Sequence, residues 1–323
     1  MGGGHGGRSG ARRRAQRHRL GRYLARLRRG EVGSVELKQE SELQTRLVAG
    51  LQSLVSLVLE TGQRKWHYQY IHHGIWDMDN PCAPLLVDLN INGRTVKAVA
   101  QPTKQAFMYV LNRETGEPIW PIVEKPVEKG DVPGEYYSPT QPFPVKPPPL
   151  SRLSIKPDEI FTGEPEHEKF CRDLIEKIGG IHNYGPYTPY SSKEFRILFP
   201  GQQGGPNYGG VAVDPSLNYV FVNSRDVGGM GRMDKTPDGD QVAYRRFSPL
   251  GRGTVNARFW NPQTSLPCQP PPWAHLIAVN ANTGDIAWKV TLGTSDALEA
   301  KGLKNTGAFG QGGPIATAGG LVF

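Results

Sequence analysis

Three segments of this chain share one pattern: an apolar run, then Thr-Gly, then three residues, then Trp. They are SLVSLVLETGQRKW (53–66), AFMYVLNRETGEPIW (106–120) and HLIAVNANTGDIAW (275–288). Thr61-Gly62, Thr115-Gly116 and Thr283-Gly284 read as hairpin turns, because glycine reaches positive φ without steric cost. Trp66, Trp120 and Trp288 then recur at one place on each returning strand, as stacked repeat units require at their junctions. The first two tryptophans are 54 residues apart, about one four-stranded unit with loops. The next gap, 168 residues, leaves room for two more units and an insertion. An all-β chain built as a β-propeller accounts for this spacing better than a sandwich.

Composition agrees. The 40 glycines and 28 prolines exceed a fifth of the 323 residues, which favours short strands and turns over long helices. No apolar run reaches the ~18 residues of a membrane-spanning helix. The net charge of +8 is concentrated at one end, since residues 1–30 hold ten arginines and no acid. Without them the rest stands at −2, and nothing in it suggests a nucleic-acid-binding face. Residues 1–52 are set apart as a basic, non-globular segment. The repeat-bearing part is 53–323, interrupted by an insertion over roughly 121–200. Within it, SPTQPFPVKPPP (138–149) reads as an extended surface loop, because proline lacks a ladder donor. Residues 157–179 read as a helix with Phe170, Leu174 and Ile178 on one face. The chain stops in the apolar run GGLVF, directly after a turn, which is the pattern of a propeller cut at its C-terminus.

The densest concentration of chemistry lies between Trp66 and Lys104. Asp77 and Asp79, two residues apart, read as sharing one strand face, while His72 and His73 point to opposite faces. Cys82 and Cys268 each sit in a Pro-rich corner, where a bridge between them or two unpaired thiols both remain open. The clusters GQQGG (201–205), GGMG (228–231) and GQGG (310–313) lack the G-x-G-x-x-G spacing of a nicotinamide site. They read as loops that approach one another near a central axis.

Several stretches, in order, resemble the quinoprotein dehydrogenases: HHGIWDMDNPCAP (72–84), KAVAQPTKQAFMYVLNRETGEPIWP (97–121), DVPGEYYSPTQPFP (131–144), LPCQPPPW (266–273) and GGPIATAGGLVF (312–323). The nearest branch is similar to membrane-type quinoprotein glucose dehydrogenase. The resemblance implies part of an eight-bladed propeller that binds pyrroloquinoline quinone (PQQ) with Ca2+ or Mg2+. It implies oxidation of a sugar or alcohol, electrons leaving to a quinone or cytochrome, and a periplasmic or periplasm-facing location. It places Asp77 on the catalytic base and on the metal. It places Lys104 and Asn223 against the quinone, and Tyr208 where relatives carry a tryptophan near the cofactor. Chemically, Asp77 suits proton abstraction if burial beside Trp76 raises its pKa. Lys104 suits stabilisation of charge developing on a carbonyl oxygen. The alternative is a propeller without catalysis that binds protein partners, or an inactive piece of the dehydrogenase.

Overall fold

A computed structural model describes residues 52–253, 257–308 and 310–323. The arginine-rich segment lies outside the described residues. The chain divides into two compact units, Met1–Gln69 and Tyr70–Phe323.

In the first unit, β1 (Ser53–Leu57) pairs antiparallel with β2 (Arg64–Gln69), with Ser56 opposite Trp66. Gly62 closes the turn at φ 71°, its N–H donating to Val58 O at 2.7 Å. The other two Thr-Gly sites close the same way, Gly116 N onto Asn112 O and Gly284 N onto Asn280 O, both at 2.8 Å. One local signature thus gives one turn three times, and the glycine is what permits its left-handed backbone.

The second unit is built around two facing sheets. One comprises β3 (Leu85–Ile91), β4 (Arg94–Pro102) and β5 (Met108–Asn112), in that order. The other has four antiparallel strands: β9 (Val211–Asp214), β10 (Tyr219–Arg225), β15 (Ala274–Asn280) and β16 (Asp285–Thr291). Alternation decides the core between them. Val87, Leu89, Ala98, Ala100, Met108 and Val110 of the first sheet pack with Val220, Val222, Ile277 and Val279 of the second. Phe221 and Ala278 point the other way. Trp288 lies opposite Ala278 and stacks its ring 5.7 Å from Phe221, the small alanine leaving space between the two aromatics. Trp120 packs on this same core, and its ring lies against Gly284, joining the second Thr-Gly turn to the third. It follows a single bridge, Leu111 with Pro118, rather than standing on a full returning strand.

The 168-residue gap does not hold two complete four-stranded units among the described residues. Besides the four-stranded sheet β9-β10-β15-β16, it holds β6 (Ile122–Pro126) with β7 (Thr140–Pro144), β8 (Arg196–Leu198) with β11 (Gly229–Lys235) and β12 (Tyr244–Phe247), and β13 (Trp260–Asn261) with β14 (Leu266–Pro267). Pro142 and Pro144 stand on β7, where missing N–H groups keep the sheet to two strands. The expected surface loop is therefore a strand over Thr140–Pro144, with Gln141 to Pro144 buried, and irregular from 145 to 149. The expected helix is shorter than 157–179: α1 spans Pro165–Lys177. Glu164 caps its first turn by accepting from His167 N at 2.9 Å, and Pro165 takes the first position, where no donor is needed.

Two local expectations are corrected. Residues 71–84 form a loop, not a strand, with His73 at φ 50° and Asp77 at φ 59°, so no strand faces separate His72 from His73. The disulfide joins Cys171 to Cys268, fixing α1 to the segment after β14, while Cys82 is a buried free thiol. No helix of the described residues is long and apolar enough to cross a membrane.

Candidate active site

The loop that carries Asp77 is pinned from both sides. Trp76 and Met78 turn inward and are buried, whereas Asp77 and Asp79 turn outward and are exposed. Trp76 donates its indole N–H to Thr188 O at 2.9 Å and meets the Tyr187 ring edge-on at 5.3 Å. Earlier in the loop, the Gln141 side chain closes on both backbone groups of His72, at 2.9 and 2.8 Å. His72 pairs with Glu124 at 2.9 Å and His73 with Glu135 at 3.1 Å. Later, Cys82 donates to Asn207 O at 2.7 Å, and burial pushes its thiol up to about 11, which leaves it protonated and unreactive.

Lys104 arrives from the turn between β4 and β5. Its backbone carbonyl accepts from Gly205 N at 3.1 Å, and its side chain is 10% exposed. The ammonium donates to Asp77 O at 2.9 Å and to the Asp79 carboxylate. Lys104 thereby fixes the backbone from which the Asp77 carboxylate projects.

Asp77 and Lys104 open onto one cleft of about 260 Å3. Gly201, Gly228 and Gly229 form part of its wall. Gly201 N donates to Val227 O at 3.0 Å, and a Cβ at Gly201 would come 2.5 Å from Gly229 N, so glycine is what lets these two backbones touch. Tyr190 lies beside the cleft and accepts from Arg246 at 3.4 Å. Burial pushes the Tyr190 phenol up to about 12, Arg246 opposing and the Asp77 charge adding to the rise.

Arginine dominates the rest of the cleft. Arg246 and Arg258 line it directly. Arg225, buried just behind, donates to Gln203 O at 2.8 Å. Burial, and then the neighbouring Arg258 charge, pull its guanidinium down to about 10. None of these arginines was apparent from the sequence, where each stands in a different segment without a motif.

The other expected site residues are placed differently. Asn223 lines a neighbouring space of about 10 Å3, closed by Gly310 and Gly312, and donates to Gly312 O at 2.8 Å. Tyr208 is 62% exposed and does not line the cleft. Asp77 itself is exposed rather than buried beside Trp76, because the left-handed turn at φ 59° directs it outward. Two of the glycine clusters meet, Gly201 against Gly228 and Gly229, while the third, Gln311 to Gly313, packs backbone to backbone on Gly209.

Residues 49–323 match the family described as "PQQ: Glucose/ethanol/alcohol dehydrogenase, beta-propeller domain". The chain belongs to this family of PQQ-dependent quinoprotein dehydrogenases. It is 34% identical over 289 residues to a quinate/shikimate dehydrogenase (quinone) of Acinetobacter baylyi, covering 84% of this chain and 35% of that protein. It is 30% identical over 295 residues to the quinoprotein glucose dehydrogenase of Escherichia coli, covering 84% and 36%. A glycerol dehydrogenase large subunit of Gluconobacter thailandicus is 29% identical over 306 residues, covering 84% and 40%. The chain thus spans little more than a third of the length of the curated relatives it matches.

The cleft suits the family's cofactor in charge. PQQ is a planar quinone bearing three carboxylates, and the cleft offers two arginines, one with a buried Nε that has no hydrogen-bond partner. A divalent ion fits less well. Asp77 is the single carboxylate lining the cleft, whereas Ca2+ or Mg2+ takes six or more oxygens. Among the described residues, the one group with metal-ligand geometry is His167 with Cys171 and Cys268, and there the two sulfurs are spent on the disulfide.

Proposed function

We propose that this chain forms part of the active site of a PQQ-dependent dehydrogenase acting on a sugar or alcohol hydroxyl, within an eight-bladed propeller formed by 53–323 and further blades. The observation that carries the reading is the coupling of Asp77 and Lys104 at one cleft through a 2.9 Å hydrogen bond. Bound PQQ would supply the hydride acceptor. Asp77 accepts the proton of the substrate hydroxyl. Its exposure leaves the carboxylate accessible, and Lys104 holds its backbone in place. The Lys104 ammonium also sets a positive charge beside the cleft, where it favours negative charge developing on a bound carbonyl oxygen. Asn223 and Tyr208 are assigned to the cofactor's surroundings on the family resemblance alone. Ca2+ or Mg2+ would need oxygen ligands beyond Asp77, and no step is routed through it. Electrons would leave to a quinone or cytochrome acceptor on the periplasmic side, by analogy with the family.

The second reading, a propeller piece without catalysis, is favoured by one observation: Tyr208 stands outside the cleft, and Asn223 opens onto a different space. Reconstitution with PQQ and Ca2+ separates the two. Dye reduction should follow addition of glucose, glycerol or quinate, and Asp77→Asn should lower kcat by 100-fold or more, the range typical of general-base loss. Activity that survives Asp77→Asn would remove Asp77 from the chemistry. A chain that binds PQQ but reduces no dye with any of the three substrates would support the non-catalytic reading.

A further inference from the structure

The cleft holds more positive charge than the chain itself balances. Lys104 is paired with Asp79, but Arg246 and Arg258 have no carboxylate in ion-pair contact among the described residues. Arg246 lies over the Tyr190 ring at 5.6 Å and meets its hydroxyl at 3.4 Å. Arg258 lies over the Trp260 ring at 4.4 Å, with its Nε buried and unpartnered. Behind them Arg225 is satisfied by the neutral oxygens of Gln203 and Gly205. Guanidinium groups gathered this closely repel one another, and burying an unpaired donor is costly. Each guanidinium lies over an aromatic ring at the cleft wall, a contact that leaves N–H donors available, Arg246 spending one on the Tyr190 hydroxyl.

We propose that Arg246 and Arg258 form a carboxylate-binding subsite of this cleft. The geometry of a fork that presents parallel N–H groups matches a carboxylate and gains little from a neutral hydroxyl. The carboxylate belongs either to the quinone cofactor or to a hydroxy-acid substrate. The subsite rests on the dehydrogenase reading only for this choice of ligand, since the recognition chemistry is common to both.

The test uses the whole chain and a redox-inert probe, benzene-1,3,5-tricarboxylate, with the uncharged tricarboxamide as its control. By calorimetry the tricarboxylate should bind at least ten-fold more tightly than the amide, and its affinity should fall as salt rises. Arg246→Gln and Arg258→Lys should each weaken it about ten-fold, the loss expected for one charge-assisted hydrogen bond. Arg258→Lys retains the charge and the packing stem, so a matching melting temperature identifies the loss as one of fork geometry. Equal affinity for the amide, or wild-type affinity in both variants, would overturn the subsite. Displacement then names the source. Competition by PQQ, weakened in Arg246→Gln, assigns the carboxylate to the cofactor. Competition by quinate but not by glucose assigns it to the substrate, and competition by neither overturns the proposal. A chain that binds the tricarboxylate but never reduces dye would end the dehydrogenase reading while leaving the subsite intact.

Discussion

Removing the disulfide should cost this chain more than any single side-chain contact. Cys171 and Cys268 are 97 residues apart and fully buried, in a cluster with Leu174, Ile178, Phe199, Met230 and Phe259. A cross-link closing a loop near 100 residues lowers the entropy of the unfolded chain by an amount worth about 4.7 kcal/mol at 25 °C. Residual structure in the unfolded chain offsets part of this, so about 4 kcal/mol is expected. With a urea slope of about 3 kcal/mol per molar, suited to a chain of this size, the midpoint should fall by somewhat over ~1 M. The assay is a urea titration of the oxidised chain, the chain with a thiol reductant, and the double variant with Cys171→Ala and Cys268→Ala. The last two should coincide. A thiol count in denaturant provides the direct check: one reactive thiol per chain, Cys82, before reduction and three after. Three thiols before reduction, or a midpoint unchanged by reductant, would refute the reasoning.

Two other perturbations have clear signs. Burial, helped by Lys289 and Arg152, lowers His275 to about 4, so the folded state prefers the neutral ring. The unfolded chain takes up this proton near pH 6.5 and the folded one near 4. Stability is therefore full above pH 6.5 and lost as pH falls from 6.5 to 4, by about 3 kcal/mol. His275→Gln should flatten that slope in urea titrations between pH 4 and 7. Asp226, raised by burial, contributes a slope of opposite sign above its ordinary range, so the comparison must be with the parent protein. Gly201→Ala should lower stability by about 2 kcal/mol, because the added Cβ meets Gly229 backbone. Gly310→Ala, with nothing within 4 Å, serves as the neutral control in the same thermal melts.

The three Thr-Gly turns were legible because each is a local event: glycine, a positive φ and one backbone hydrogen bond within five residues. The strands beside them were legible from period-two burial. The helix was found but overextended, since Pro165 and the Glu164 cap set its start more strongly than the apolar spacing upstream. The Pro-rich segment was misjudged because proline forbids only a central ladder position, and β7 needs a partner on one edge alone. For the site, the grouping of Asp77 with Lys104 followed from the family's motifs, and both do open onto one cleft.

The sequence by itself determined the repeating turn, the all-β character and the family, because each is written in short, contiguous patterns. Tertiary structure alone decided which cysteine pairs with Cys268 and which side Asp77 faces. It also decided that Asn223 and Tyr208 stand apart from the cleft, and that Arg246 and Arg258 converge on it. Those outcomes depend on distances between segments tens to hundreds of residues apart. Burial, charge repulsion and the 5–6 Å reach of a disulfide are properties of three-dimensional packing that no local pattern encodes.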